Sequence, residues 1–145
     1  MSKAEIAEKI FANHNNCAQA VAGAYAEDCK LPKDTALSAA VGFGGGMGRL
    51  QETCGAVCGA IMVLGLSSEF KDGEGREKIS DVYAKVRSFV KDFEKEKGTV
   101  NCRKLLGCDL LTEEGQKYFK DHNLRENCYG YVRLACDLLD KYLAK

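Results

Sequence analysis

Apolar residues recur along this chain at spacings of three and four, which is the period of an amphipathic α-helix. The β-branched residues are scattered and do not alternate with polar ones, and the one proline is Pro32. A length of 145 residues suits one domain with a core large enough to fold unaided. The pattern therefore predicts an all-α fold, a multi-helix bundle that forms a single domain over residues 1–145.

Four helices are predicted in the first half of the chain, each opened by a side chain that can accept hydrogen bonds from a first turn. They run from the Ser2 cap to about Asn13, from the Asn16 cap over Cys17 to about Cys29, from the Asp34 cap over Ala36–Phe43, and from the Thr53 cap to about Leu66. The fourth is apolar nearly all round, so we expect it to be the buried central helix. The glycine-rich stretch Gly42–Arg49 precedes it as a loop.

Four further helices are predicted after a loop at Asp72–Gly75. They are a long amphipathic helix that ends at Lys97 before Gly98, a short one over about Cys102–Leu106 after Asn101, one capped by Thr112, and a last one from the Asn127 cap over Cys128–Ala144. No internal repeat and no long linker divides the chain, which agrees with a single bundle.

Charge and hydropathy exclude several classes of partner. Lys plus Arg and Asp plus Glu number 21 each, and binding to nucleic acid or to anionic membranes rests on excess positive charge. No segment approaches the roughly 20 apolar residues of a membrane span, and Met1–Glu5 leads into an amphipathic pattern rather than a secretory signal. We therefore expect no nucleic-acid partner, no membrane and a cytoplasmic location. The apolar central helix could pack within a monomer or across a homodimer.

Eight cysteines are many for a protein expected in a reducing compartment. Reducing conditions disfavour disulfides, so such cysteines more often serve metal or redox chemistry, the alternative being burial as small apolar residues. Four of them directly follow an Asn or Thr that favours the N-cap: Cys17, Cys54, Cys102 and Cys128. Each would occupy the first position of a separate helix, beside N–H groups that lack an intrahelical partner.

The partial positive charge of a helix start is expected to lower the pKa of these thiols below about 8.5. Four thiolates that meet only in the folded bundle would suit a metal or an iron–sulfur cluster, or else a pair of redox thiols. The sequence therefore predicts Cys17, Cys54, Cys102 and Cys128 as metal ligands. Cys58, one turn beyond Cys54 on the same face, is a candidate fifth ligand or resolving thiol, although packing is an equal alternative.

The cysteine spacing argues against compact metal motifs. Zinc ribbons and ferredoxins use close pairs such as C-x2-C, whereas the short intervals here are C-x3-C, C-x5-C and C-x7-C. The C-x-x-C-H motif is missing, so we expect no covalent haem. The other three cysteines lack the helix-start setting: Cys29 follows Asp28 at a helix end, Cys108 follows Gly107 in a loop, and Cys136 is expected in the core.

The glycine-rich stretch is a second candidate for a cofactor contact. It does not match a phosphate-binding loop, but its glycines would let the backbone approach whatever Cys54 holds and donate N–H groups to sulfur. Gly45, Gly46 and Arg49 are therefore predicted to contact a cofactor, with Arg49 adding positive charge. A tight connection between two buried helices is an equal alternative. His14 and His122 lie in polar surroundings and are expected in surface loops.

The chain resembles the C_GCAxxG_C_C family, which is named for its cysteine pattern. The segments that carry the resemblance are Cys17–Val21, Gly42–Arg49 and Cys54–Ala60. Cys54–Gly59 matches the family motif Cys-Gly-Ala-x-x-Gly, Cys102 and Cys128 match its two later cysteines, and the resemblance spans essentially the whole chain. It implies redox activity, and a related domain of split-Soret cytochromes is associated with a non-haem iron centre. The cysteines beyond the family's four leave open whether further thiols take part.

Three functions remain in competition. The first is an iron–sulfur or other metal centre on the four cysteines, acting in electron transfer or redox sensing with a redox partner protein. The second is thiol–disulfide exchange without a metal, which would use Cys54 with Cys58 or a distant thiol. The third is a structural helical module stabilised by zinc or by cysteine packing alone.

Overall fold

Eight α-helices make up the fold in residues 1–144, the part of the chain that the computed structural model describes. They are α1 (Lys3–Ala12), α2 (Cys17–Ala24), α3 (Lys33–Ala40), α4 (Gly55–Ser67), α5 (Arg76–Lys97), α6 (Cys102–Leu106), α7 (Glu113–Asp121) and α8 (Arg125–Leu143). The only β pairing within these residues is an isolated antiparallel bridge between Thr53 and Asn101. The predicted all-α, multi-helix fold is confirmed.

The core is built around α4, as its apolar sequence predicts. Residues on several sides of this helix are buried, among them Ala56, Val57 and Val63. The packing against α2 is the most extensive helix contact, and α8 and α5 cover other faces of α4. Amphipathic α5 contributes only Phe89 and Phe93 as fully buried residues. None of the helices in residues 1–144 is long and apolar enough to cross a membrane.

Two of the four cysteine-bearing helices begin where the capping pattern predicts. The Asn16 side chain accepts a hydrogen bond of 3.0 Å from a backbone N–H in the first turn of α2, and the Asn101 side chain accepts one of 2.9 Å in α6. Cys17 and Cys102 are accordingly the first residues of their helices. The predicted caps Ser2 and Thr112 are also present.

The prediction that Thr53 caps α4 is wrong. The N-cap is Cys54, whose side chain makes no capping hydrogen bond, and α4 starts at Gly55. Thr53 is held in the bridge to Asn101, a residue far away in sequence. This tertiary pairing fixes the backbone before α4 and overrides the local preference of Thr for the cap.

The prediction that Asn127 caps the last helix is also wrong. Helix α8 begins at Arg125 with Leu124 as its N-cap, so Cys128 lies one turn inside the helix. Leu124 is half-buried against the core, and its carbonyl accepts a hydrogen bond of 3.2 Å from the Cys128 N–H. The free energy gained by burying Leu124 and by forming the added helical turn exceeds that of an Asn cap, which is about 1 kcal/mol.

Two other helix bounds differ from the prediction. Helix α2 ends at Ala24 rather than near Cys29, and hydrogen-bonded turns follow it. Helix α3 begins directly after Pro32 rather than after Asp34, because proline fixes φ, here −57°, and has no N–H to satisfy. It ends at Ala40, and a 3-10 turn over Val41–Phe43 leads into the glycine-rich stretch.

Candidate functional site

Four cysteines from four helix regions line one cleft of about 890 Å³: Cys17, Cys54, Cys102 and Cys128. Cys54 and Cys102 are buried, and Cys17 and Cys128 are half-buried. The fold thus brings together the four residues that the sequence singles out, although they are far apart along the chain. Their role as metal ligands stays a prediction.

A short backbone pairing brings Cys54 and Cys102 together. The Cys54 N–H donates to the Val100 carbonyl at 2.7 Å, and the Cys102 N–H donates to the Glu52 carbonyl at 2.6 Å. These two bonds lie on either side of the bridge described above. They fix the backbone of both cysteines before either helix has completed a turn.

The glycines of the segment Cys54–Gly59 allow α2 to approach α4. A Cβ on Gly55 would overlap the sulfur of Cys17, and a Cβ on Gly59 would lie 2.7 Å from the Ala18 carbonyl oxygen. Real Cβ contacts are not that short, so a larger residue at either position would push α2 away. The two glycines therefore allow the start of α2, at Cys17 and Ala18, to pack closely against α4.

The glycine-rich stretch forms a left-handed turn. All five residues of Gly45–Arg49 have φ between 62° and 71°. A left-handed conformation costs roughly 1–2 kcal/mol for each residue that has a Cβ, which explains why three of the five are glycine. Met47 and Arg49 adopt the same strained conformation, and such strain often accompanies functional segments.

The three glycine-loop residues predicted to contact a cofactor occupy different places. Gly45 and Arg49 line the cleft, and the Gly45 N–H opposes the rise in the pKa of Cys17. Gly46 does not line it, and it lies so close to Cys102 that a Cβ there would be 2.9 Å from that residue's own Cβ. The loop therefore lines the cleft at Gly45 and packs against Cys102 at Gly46.

The expectation of thiols with a lowered pKa is wrong for the metal-free chain. Burial raises the pKa of Cys17 and Cys54, although backbone N–H groups that include Gly45 and Ala56 oppose this rise. Burial, together with the charge of Cys17, raises the pKa of Cys102 to about 11 and that of Cys128 to about 12. Loss of water around sulfur outweighs the helix-start N–H groups, so these thiols are protonated at neutral pH.

The remaining cysteines fall into two groups. Cys58 and Cys108 are buried close to the four. Burial is the main cause that raises the pKa of Cys58, and the charge of Cys17 raises it further. The charge of Cys108 likewise adds to the raised pKa of Cys102 and of Cys128. The Cys58 thiol donates to the Thr53 carbonyl at 3.6 Å. None of these four further cysteines lines the cleft, and Cys136 lies in the core as predicted.

The thiol arrangement differs from that of a site for one ion. No three Cys, His, Asp or Glu side chains in residues 1–144 are grouped so that they could hold a single metal ion. Zinc binds sulfur at about 2.3 Å, which requires its thiolates to lie within about 4 Å of one another. In a [4Fe–4S] cluster each thiolate binds a different iron, so the sulfurs lie further apart than around one zinc ion.

Three cleft-associated residues were missed by the sequence reasoning. Arg125 and Tyr131 line the cleft from α8, and the side chain of buried Gln51 donates to the Cys108 carbonyl and accepts from the Leu110 N–H, both at 2.8 Å. Arg125 precedes Cys128 by three residues. The two side chains therefore share one face of α8, which begins at Arg125 and not at Cys128 as predicted. Nothing in the local sequence singles out the other two.

Histidine placement agrees with the expectation of surface positions. Both His14 and His122 are exposed, and His14 lies at the rim of the cleft. The His122 ring stacks on Tyr118 at 3.9 Å between ring centroids.

Comparison with protein families gives a match to a family model. A family model described as "Putative redox-active protein (C_GCAxxG_C_C)" matches residues 15–142, a range that contains all eight cysteines. Searches of curated proteins and of solved structures gave no significant match.

Proposed function

Because the chain belongs to the C_GCAxxG_C_C family of redox-active proteins, we propose that it holds an iron–sulfur cluster through Cys17, Cys54, Cys102 and Cys128. The cluster serves electron transfer or redox sensing with a redox partner protein. Eight free cysteines fit a reducing compartment such as the cytoplasm. The observation that carries this proposal is the meeting of four cysteines, remote in sequence, on one cleft.

The chain supplies the surroundings that such a centre needs. A bound cluster would provide one-electron chemistry, with a potential set by hydrogen bonds to sulfur and by solvent exposure. The backbone N–H groups of Gly45, Ala56 and Val57 oppose the rise in the pKa of Cys17 and Cys54. Burial of Cys54 and Cys102 keeps water from half of the ligand set. These contacts favour the thiolate form once a metal's positive charge offsets the cost of burial.

Thiol–disulfide exchange is less well supported. An attacking cysteine needs a substantial thiolate fraction near neutral pH. Burial raises the pKa of Cys58 to about 11 and that of Cys54 above its usual range, so both are poor nucleophiles. A structural zinc ion is also less well supported. Among residues 1–144, no three Cys, His, Asp or Glu side chains are grouped so that they could bind one ion.

The test is the iron and acid-labile sulfide content of protein purified or reconstituted without oxygen. We expect brown protein with stoichiometric iron and sulfide, at least tenfold less iron in Cys128→Ala, and unchanged iron in Cys136→Ala. Both cysteines lie in α8, but only Cys128 lines the cleft, so Cys136 is a matched control. Iron-free protein after reconstitution, or equal iron in the two variants, would contradict the proposal. Stoichiometric zinc would support the structural module instead.

A further inference from the structure

The cleft is larger than four sulfurs require. Its volume of about 890 Å³ lies within the roughly 300–1,000 Å³ typical of small-molecule sites. Apolar side chains of Leu105, Leu110 and Phe119 line it together with the polar side chains of Asn15 and Gln116. Mixed walls of this kind suit a ligand that has both an apolar body and a polar group.

The charged side chains that line the cleft are all positive. Arg49 and Arg125 both line it, whereas no Asp or Glu of the described chain does. This is notable in a protein whose Lys plus Arg and Asp plus Glu are equal at 21 each. An excess of guanidinium groups facing a partly enclosed space attracts anions.

Arg125 is held in place before any ligand arrives. Its guanidinium carbon lies 4.0 Å from the centroid of the Phe11 ring, and its Nη2 donates to the Phe11 carbonyl at 2.8 Å. Arginine has five N–H donors, so most of its donor capacity remains for another partner. A guanidinium fixed in this way loses little side-chain entropy when it binds, and its planar fork matches a carboxylate.

We propose that the cleft binds a small organic carboxylate beside the four cysteines, with the carboxylate on Arg125 and Arg49 and the apolar body against Leu110 and Phe119. This inference rests on the proposed function, since the anion would lie next to the thiol-held centre as its substrate or regulator. A role of the two arginines in balancing the charge of a cluster alone is the competing explanation.

Calorimetric titration of the reduced 145-residue chain tests the proposal, with benzoate as the probe and uncharged benzamide as its control of equal shape. We expect benzoate to bind at least tenfold more tightly than benzamide. Arg125→Gln and Arg49→Gln should each weaken benzoate binding about tenfold, as expected for loss of a charge-assisted hydrogen bond. Arg87→Gln, which changes an exposed arginine on α5 that does not line the cleft, should have no effect.

Several results would overturn the proposal. They are equal binding of benzoate and benzamide, equal binding of benzoate and inorganic phosphate, and benzoate binding that is unchanged in Arg49→Gln. The first two comparisons use the unmodified chain, so they hold even if Arg125→Gln fails to fold.

Titration of both iron-free and reconstituted protein separates this inference from the proposed function. Arginine-dependent benzoate binding in a chain that takes up no iron would support the carboxylate site and contradict the cluster. Iron uptake without benzoate binding would contradict the carboxylate site alone, and the arginines would then serve charge balance.

Discussion

Gly55 illustrates how one residue without a side chain shapes the candidate site. The space that its Cβ would take is filled by the sulfur of Cys17. A Cβ on Gly65, in the same helix, would meet no neighbouring atom within 4 Å. Two glycines of one helix therefore differ in purpose, since one makes room for a thiol and the other does not.

Substitution of these two glycines by alanine should separate site formation from helix stability. We expect Gly55→Ala to displace Cys17 and to lower iron incorporation at least tenfold. Gly65→Ala should keep full incorporation and raise the free energy of unfolding by about 0.5–1 kcal/mol, because alanine has the higher helix propensity. Iron analysis and urea denaturation measure both effects. Full iron content in Gly55→Ala would show that α2 can shift without loss of the site.

At the scale of elements, the site depends on segments that precede helices. The pairing before α4 and α6 fixes Cys54 and Cys102, and the left-handed turn places Gly45 in the cleft that Cys17 lines, where its N–H opposes the rise in the pKa of that thiol. Gln51 joins these segments to the loop after α6. Its buried side chain donates a hydrogen bond to the Cys108 carbonyl and accepts one from the Leu110 N–H. Connections rather than helix faces thus determine how three of the four cysteines approach one another.

Loss of the Gln51 side chain should be costly. In Gln51→Ala the Cys108 carbonyl and the Leu110 N–H lose their partner, and we expect the free energy of unfolding to fall by roughly 2–4 kcal/mol. Gln116→Ala is the control, since that side chain makes one exposed hydrogen bond of 2.9 Å and its loss should cost less than about 1 kcal/mol. Urea denaturation of both variants provides the measurement, and similar small losses would contradict the expectation.

At the scale of the whole molecule, burial determines the state of the thiols. Local helix starts favour thiolates, but the bundle removes the water that would solvate them and places the thiols near one another. Metal uptake must therefore release protons, and it should become tighter as pH rises toward the thiol pKa values. The same balance makes the metal-free fold sensitive to alkaline pH.

The stability of the reduced, metal-free chain should fall above about pH 9. In the fold the pKa of Cys102 rises to about 11 and that of Cys128 to about 12, from an ordinary value of 9.0. The folded state then holds more protons than the unfolded state between these limits, so its stability is fully present below about pH 9 and is lost as pH rises through the folded pKa values.

Urea midpoints at about pH 8 and about pH 10.5 check this expectation. The fall between the two should be smaller in the double variant Cys102→Ala with Cys128→Ala, because it lacks two of the buried thiols. An equal fall in both proteins would assign the alkaline loss of stability to other groups.

Much of the fold and part of the site follow from patterns that are local in sequence. The helical period, the apolar character of residues 53–66 and the caps at Asn16 and Asn101 predict the bundle, its central helix and two helix starts. They do so because hydrogen bonds within one turn and the burial of one helix face depend on near neighbours. The predictions at Thr53 and Asn127 were wrong because contacts with distant segments control those starts.

The sequence by itself determined that the chain is all-α, and it singled out the four cysteines that follow an Asn or Thr, although only Cys17 and Cys102 begin a helix. Only the tertiary structure decided that these four line one cleft, that their thiols are protonated, and that Arg125 and Gln51 belong to their surroundings. The physical reason is range. Capping and helix periodicity act over three or four residues, whereas desolvation and the meeting of thiols depend on residues as far apart in sequence as Cys17 and Cys128, which pack together only in the folded chain.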